Sequence, residues 1–441
     1  MVKILNQTQA SFQSDFNKLL KKREKDNKLI DRSVSKILND VRKSKDAALL
    51  KYTKKFDNFS IKKISEIRVS KQEIDNGVKN VDKTLIGSIK HAAERIKSYH
   101  KKQLPKNLSY KDKKGILLGG IWNPIESVGL YVPGGKAAYP STVLMNAIPA
   151  IVAGVDRIAV TVPVNAGKIN PLVLACLKIL GISEIYKIGG AQAIAALTYG
   201  TETIQRVDKI FGPGNAYVAA AKKQVFGDVG IDMIAGPSEI LVLADKNNNP
   251  EHIAIDLLSQ AEHDSLAQSI LVTDNIEFSR DVELQVNKYL KIIERKKIAR
   301  ESWYNYGAIV IVNSIEDGCK FINQLAPEHL ELSVNNSSKY LTKIKNAGAI
   351  FLGKYTPEAI GDYIAGPNHV LPTDRTARFS SGLNLLDFFK RTSVVKCTKS
   401  NLKLIGPDAI MIANEEGLQA HALSIECRLK KFKKELWQKK N

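Results

Sequence analysis

Polar and apolar positions along this 441-residue chain change period twice. Over residues 15–102 apolar side chains recur at helical spacing among lysines, as at Val34, Ile37, Leu38 and Val41, then Ala47, Ala48 and Leu50, which predicts amphipathic helices. After Leu104-Pro105 come short β-rich runs at 115–118 and 126–132. The second ends in Pro133-Gly134-Gly135, a turn into a helix starting near Tyr139.

Between 139 and 236 strand-like and helical stretches alternate. Segments 157–162, 184–188 and 209–211 read as strands, and 171–180, 191–199 and 216–225 as helices. A second series holds strand 239–244, helix 250–262, strand 268–273, one long helix to about 297, and strands 308–312 and 349–352. Such alternation means βαβ units and parallel sheets, and two series mean two α/β domains. Beyond Leu386 the pattern turns irregular, then helical and basic from 414 to 437, a tail expected to dock rather than to form its own core. No repeat of 20 to 50 residues and no low-complexity segment breaks this organisation.

Composition sets the class without refining it: 44% hydrophobic and 25% charged residues are globular values. The longest apolar run, 143–155, is interrupted by Asn146 and Pro149 and falls short of the roughly 20 residues needed to cross a bilayer, so no membrane span is expected. Residues 1–7 lack the basic segment, apolar core and cleavage site of a secretory signal, and a cytoplasmic address is expected. Cys176, Cys319, Cys397 and Cys427 show no CxxC spacing, and read as reduced, mostly buried thiols. The net charge of +21 invites a nucleic-acid hypothesis. The excess is lysine, concentrated in 18–114 and 430–434 without aromatic interleaving, so no nucleic-acid partner is expected.

Four of the seven histidines stand in polar, glycine- or acid-rich contexts: His263, His329, His369 and His421. At the end of an apolar-striped helix Gln260 and His263 are spaced i, i+3, so their side chains converge. Amide oxygen and imidazole are both competent zinc ligands, and Asp362 with His421 could complete a site. A surface or helix-capping His263 would have the same spacing. Glu328-His329 joins a carboxylate to an imidazole just after Pro327, able to serve separate protons in one site; a helix start with a solvent-facing histidine reads equally well. Gly189-Gly190-Ala191-Gln192 and Gly212-Pro213-Gly214-Asn215 each follow a strand and open a helix, which predicts free backbone N–H groups where phosphate binds. Neither is GxGxxG, and a tight turn would also use these glycines. The junction 232–239, with Ser238 able to supply a hydroxyl, suits a substrate cleft between domains or a plain linker. No cysteine lies in these constellations, which argues against a covalent thiohemiacetal route; Cys427, near His421, comes closest.

Taken in order, 129–135, the helix 139–154, 189–200, 212–215, 236–239, 259–264, 327–331 and 361–372 resemble the histidinol dehydrogenase family from about residue 30 onward. The resemblance implies that Gln260, His263, Asp362 and His421 hold one zinc ion, with His421 contributed by the other subunit of a homodimer. It implies that Glu328 and His329 are the acid/base pair, that Ser238, His369 and Glu416 hold histidinol along with the zinc ligands, and that Tyr131, Gln192 and Asn215 contact NAD. The implied reaction takes L-histidinol through histidinal to L-histidine and reduces two NAD+. The chain departs from the family's pattern at Thr373-Asp374-Arg375-Thr376, where relatives tend to carry small residues.

The fold expected is α/β: two α/β/α domains with mostly parallel, incomplete Rossmann-like sheets, an N-terminal helical segment at 1–25 and an extended and helical tail at 384–441. The first domain joins 26–129 to 239–383, the NAD-contacting domain is 130–238, and the tail is exchanged in the dimer. A zinc-dependent hydrolase using the same ligands is the competing reading, though it leaves the two glycine turns unused.

Overall fold

The computed structural model describes residues 2–21, 23, 28–57, 59–61, 63–134 and 139–429. Gly135 of the expected turn and the basic stretch 430–437 lie outside them. Along the chain, β1 (Lys3–Asn6) and α1 (Phe12–Lys21) precede α2 (Lys28–Phe56), α3 (Lys71–Val78) and α4 (Lys83–Lys101). Next come β2 (Leu108–Lys111), β3 (Leu117–Pro124), β4 (Ser127–Tyr131), α5 (Pro140–Ala153), β5 (Arg157–Thr161) and α6 (Pro171–Ile179). The alternation continues through β6 (Ile185–Tyr186), α7 (Gly190–Tyr199), β7 (Lys209–Phe211), α8 (Ala216–Val225) and β8 (Gly230–Ile231). A second series holds β9 (Glu239–Ala244), α9 (Pro250–Ala261), β10 (Gln268–Thr273), α10 (Ile276–Tyr289), α11 (Lys296–Tyr306) and β11 (Ala308–Ile311). It ends with α12 (Ile315–Leu325), β12 (His329–Ser333), β13 (Ala349–Leu352) and α13 (Glu358–Tyr363), before β14 (Phe389–Lys396), α14 (Lys399–Glu415) and α15 (Gln419–Leu429).

The chain divides into two compact units, 1–103 with 125–388, and 104–124 with 389–441. The first unit contains two all-parallel sheets, ordered β1-β11-β10-β9-β12-β13 and β6-β5-β4-β7-β8. The six-stranded sheet is buried on both faces, which is why its strands read as continuous apolar runs. Leu241, Leu243, Ile270 and Val272 pack with α1 and α12 through Phe12, Phe16 and Phe321. Their neighbours Ile240, Val242 and Leu271 pack the other way, against Leu257, Val282 and Trp303 of α9, α10 and α11. The one long helix expected to about 297 is therefore two, α10 and α11, turned back at 290–295 so that both contribute to this face.

Three placements differ from the sequence expectation. The N-terminal segment opens with a strand, β1, that pairs with β11 and anchors α1 to the six-stranded sheet. Residues of α2, expected to belong with 239–383, instead pack through Val34, Ile37, Val41 and Leu49 against α7 and α8 of the five-stranded sheet. Their amphipathic stripe matches those alanine-rich helices, a long-range pairing that helical period does not encode. Residues His329–Ser333, for which a helix start was one of two open readings, form the strand β12: Leu330 and Leu332 enter one core while His329, Glu331 and Ser333 face the opposite side.

The second unit is an antiparallel sheet, β14-β3-β2, with a helical hairpin of α14 and α15. Its tail strand is thus paired over eight residues with 117–124, a segment expected in the first domain. Leu404, Met411, Ile412, Leu418 and Leu423 are exposed, while the buried positions are small, among them Gly406, Ala413 and Ala422. Cys397 and Cys427 are exposed, whereas Cys176 and Cys319 are buried as expected. Among the described residues no helix is long and apolar enough to cross a membrane.

Candidate active site

The first unit gathers its buried polar groups where the six-stranded sheet begins. Glu239 and His329 are the first residues of the adjacent strands β9 and β12, and Glu328 immediately precedes β12. Gln260 lies on the last turn of α9 and His263 just beyond, as the i, i+3 spacing requires. Glu358 and Asp362 come from opposite ends of α13. Glu328, His329, Glu239, Gln260 and Glu358 are all buried.

Glu239 ties these groups together. Its N–H donates to Glu328 Oε2 (2.9 Å), its carboxylate accepts the N–H of Glu328 (3.3 Å), and its carbonyl oxygen accepts from Nδ1 of His329 (2.9 Å). In the neutral ring that bond puts the proton on Nδ1 and leaves the lone pair on Nε2. Nε2 is buried 3.7 Å from Oδ1 of Asp362, with no hydrogen-bond partner within 3.5 Å among the described residues.

The amide of Gln260 is oriented by its neighbours. Nε2 donates to the Glu239 carbonyl (3.1 Å) and to Oε1 of Glu358 (3.0 Å). Oε1 then faces Nδ1 of His263 at 3.4 Å. Burial lowers the pKa of His263, against the attraction of Asp362, and favours the neutral imidazole a metal requires. Burial pushes Asp362 up, but His329, His369 and His263 outweigh it and hold the carboxyl below its usual range. An amide oxygen, a neutral imidazole and an ionised carboxylate fit a zinc ion. His329, Glu358 and Asp362 also place ligand atoms within 4.8 Å of one another, and Oε2 of Glu358 is a buried acceptor without a partner among the described residues. The side therefore has more acceptors than donors, the chemistry of a cation site.

Burial raises Glu328 to about 7, with His329 pulling it down. Burial opposes a charge on His329, yet Glu358, Glu328 and Asp362 together push it up to about 10. Burial also raises Glu358, to about 8. Behind it Glu331 accepts the N–H of Glu358 (2.7 Å) and holds the start of α13 in place. His369 donates from Nδ1 to the Asp362 carbonyl (2.9 Å), and its Nε2 meets Oγ1 of Thr142 on the first turn of α5 (3.4 Å). Asn368 donates to the Met145 carbonyl on the same helix (2.5 Å). Through these contacts α5 brings the carboxyl ends of the five-stranded sheet to the amino ends of the six-stranded one. Ser238, half-buried, precedes β9 directly.

At the two glycine turns the N–H groups of Gly189, Gly190 and Gly212 are already used. Gly190 N–H donates to Oη of Tyr131 (3.1 Å). Asp57, raised to about 6 by burial, accepts from Gly189 N–H and, at 3.4 Å, from Nε2 of Gln192. Gly212 N–H donates to Asp232 (2.8 Å) and its carbonyl accepts from Lys222 (2.9 Å), the two side chains forming a buried ion pair. Asn215 caps α8 through Tyr217 and Val218 N–H groups (3.0 and 3.2 Å). The acceptors come from distant parts of the chain, so the motifs alone did not reveal them. Tyr131 and Gln192 converge, both buried; Asn215 is exposed on the neighbouring turn.

Glu416 caps α14 and His421 lies on α15, both exposed in the second unit. Sequence reasoning passed over Glu239, Glu358 and Arg23. A carboxylate opening an otherwise apolar strand was a usable signal for Glu239; an acidic residue in the first turn of a helix, as Glu358 is, is too common to be one.

A buried carboxyl and imidazole beside a nitrogen-and-oxygen cation site, carried on a two-sheet α/β frame, define a proton-transferring enzyme. The chain belongs to the histidinol dehydrogenase family, whose model matches residues 20–429, and it is an oxidoreductase by that membership. It is 52% identical over 425 residues to the histidinol dehydrogenase of Agrobacterium fabrum, covering 96% of this chain and 98% of the relative. It is 53% identical over 426 residues to that of Rhodospirillum rubrum, with the same coverage. The crystal structure of histidinol dehydrogenase from Elizabethkingia anophelis superposes with a TM-score of 0.91 at 40% identity, covering 97% of this chain and 98% of that one. The two-sheet α/β architecture is that of the family, and the hydrolase reading is set aside.

Proposed function

We propose that this protein oxidises L-histidinol to L-histidine through the bound aldehyde, reducing two NAD+ in a cytoplasmic route of histidine biosynthesis. The observation that carries the reading is the setting of His329: Nδ1 is held at the Glu239 carbonyl, and Nε2 points toward the Asp362 side of the site.

Gln260, His263 and Asp362, joined by His421 of a second copy, would hold zinc, which when bound supplies a fixed point for the substrate's imidazole and amino nitrogens. Once Asp362 is engaged there, its charge no longer helps keep a proton on His329, and Nε2 serves as base for the hydroxyl proton as hydride leaves to NAD+. Glu328, poised near neutrality, then takes a proton from the water that hydrates the aldehyde. His329 acts again as the second hydride leaves to a second NAD+. Ser238, His369 and Glu416 complete the substrate's contacts, and Tyr131, Gln192 and Asn215 contact NAD.

Homodimerisation follows from the same reading. His421 is exposed and lies on the helical hairpin whose apolar residues Leu404, Met411, Ile412 and Leu423 are also exposed, a surface suited to exchange with a second chain. The test is the yield of NADH per histidine in a zinc-replete assay. About two NADH per histidine supports the double oxidation, whereas one overturns it.

A further inference from the structure

Arg23, two residues past α1, is a cation buried next to the acid/base pair. Its side chain is 7% exposed and pairs with the Glu239 carboxylate, itself 6% exposed. It also donates to the Pro237 carbonyl (3.1 Å) and to Oδ1 of Asp374 (3.4 Å). Asp374 closes the circle, since its N–H donates to Oε1 of Glu239 (3.0 Å). The helix that delivers Arg23 is firmly seated: Phe12 and Phe16 of α1 both stack edge-on against Phe321, with ring centroids 5.0 Å apart in each pair.

We propose that Arg23, with Asp374, is a positioning latch for Glu328, acting through the carboxylate of Glu239.

The Glu239 carboxylate accepts the N–H of Glu328 while Glu328 accepts the N–H of Glu239. Two acidic side chains thus face each other in a buried place, a costly arrangement unless a cation compensates one of them. Arg23 is that cation, and its planar fork holds Glu239 in one orientation. Asp374 and Arg375 sit at φ 56 and φ 64, a conformation unfavourable for residues with side chains. Here the strained position gives Asp374 an ion pair with Arg23 and a hydrogen bond to Glu239. The latch acts on Glu328 more than on His329, because His329 is held by the backbone carbonyl of Glu239, fixed by the β9–β12 ladder.

The inference rests on the division of labour proposed above, in which Glu328 serves aldehyde hydration. Its test measures kcat and KM for the two half-reactions separately in Arg23→Gln, Arg23→Lys and Asp374→Asn, with Glu328→Gln as reference. Arg23→Gln is expected to lower kcat for aldehyde oxidation on the order of 10- to 100-fold, the cost of a misplaced group, with alcohol oxidation and the KM for histidinol much less changed. Arg23→Lys should recover part of the loss, and Asp374→Asn should show the same selectivity in smaller measure. Equal loss in both half-reactions, or no loss, in a folded Arg23→Gln enzyme overturns the latch. Should Arg23→Gln fail to fold, the half-exposed Asp374 decides: a selective loss in Asp374→Asn supports the latch, and an even loss or none overturns it. If Glu328→Gln slows both half-reactions equally, the division of labour itself falls; if it is selective while Arg23→Gln is not, only the latch falls.

Discussion

Nδ1 of His329 donates to the carbonyl oxygen of Glu239 at 2.9 Å, and this one bond decides which ring nitrogen can work. A base on Nε2 is needed twice, once for each hydride transfer. His329→Asn should therefore lower both half-reactions, each by about 10²- to 10⁴-fold. Single-turnover NADH formation from histidinol and from histidinal checks it. A loss confined to either substrate would contradict the role.

Glu328 carries the expected pH dependence. Burial raises its pKa to about 7, and in the proposed role it would activate water only as the carboxylate. Aldehyde oxidation should climb about tenfold per pH unit below that value and level off above it. In Glu328→Gln the plateau rate should drop and this limb should vanish, while histidinol is still oxidised to the aldehyde level. A rate that falls as pH rises through neutrality would have the wrong sign for a base.

Gln260 makes a prediction through its amide rather than its size. Gln260→Glu keeps the oxygen that faces His263 but replaces a donor to Glu239 and Glu358 with another acid among Glu328, Glu358 and Asp362. Zinc retention should weaken roughly 10- to 100-fold, the usual cost of losing the hydrogen bonds that orient a ligand. His263→Asn should weaken it further. Metal content after dialysis against a graded chelator measures both, and undiminished retention in both variants would rule out this ligand set.

Shared active sites can be tested by mixing. If His421 serves the partner's site, His421→Asn and His329→Asn chains, each inactive alone, should regain activity when unfolded together and refolded. Equal amounts give half mixed dimers with one intact site each, so about one quarter of the native activity is expected. No recovery in verified mixed dimers would place His421 in its own chain's site.

The sheets were largely legible because parallel strands covered on both faces read as continuous apolar runs, as in Ile240–Leu243 of β9. β12 was not, because its His329, Glu331 and Ser333 interrupt the apolar pattern with the very groups that face the site. Gln260 and His263 were legible since they share one helical period. Arg23 and Pro237, 214 residues apart, could be joined only by the fold. The glycine turns were located correctly, but that Asp57, Tyr131 and Asp232 accept from the N–H groups of Gly189, Gly190 and Gly212 only the fold could show.

The two sheets present opposite ends to the site, and the backbone gains a polarity from it. At the carboxyl ends of the five-stranded sheet helices begin, α5, α7 and α8 among them, whereas α9 ends beside the first residues of the six-stranded sheet. Peptide dipoles sum to a partial positive charge at a helix start and a partial negative charge at its end, each stabilising an opposite charge by about 0.3–1 kcal/mol. One side of the site thus leans toward an anion and the other toward a cation. Reversing the charge preference of either side by a point mutation would have to overcome a field built into the main chain.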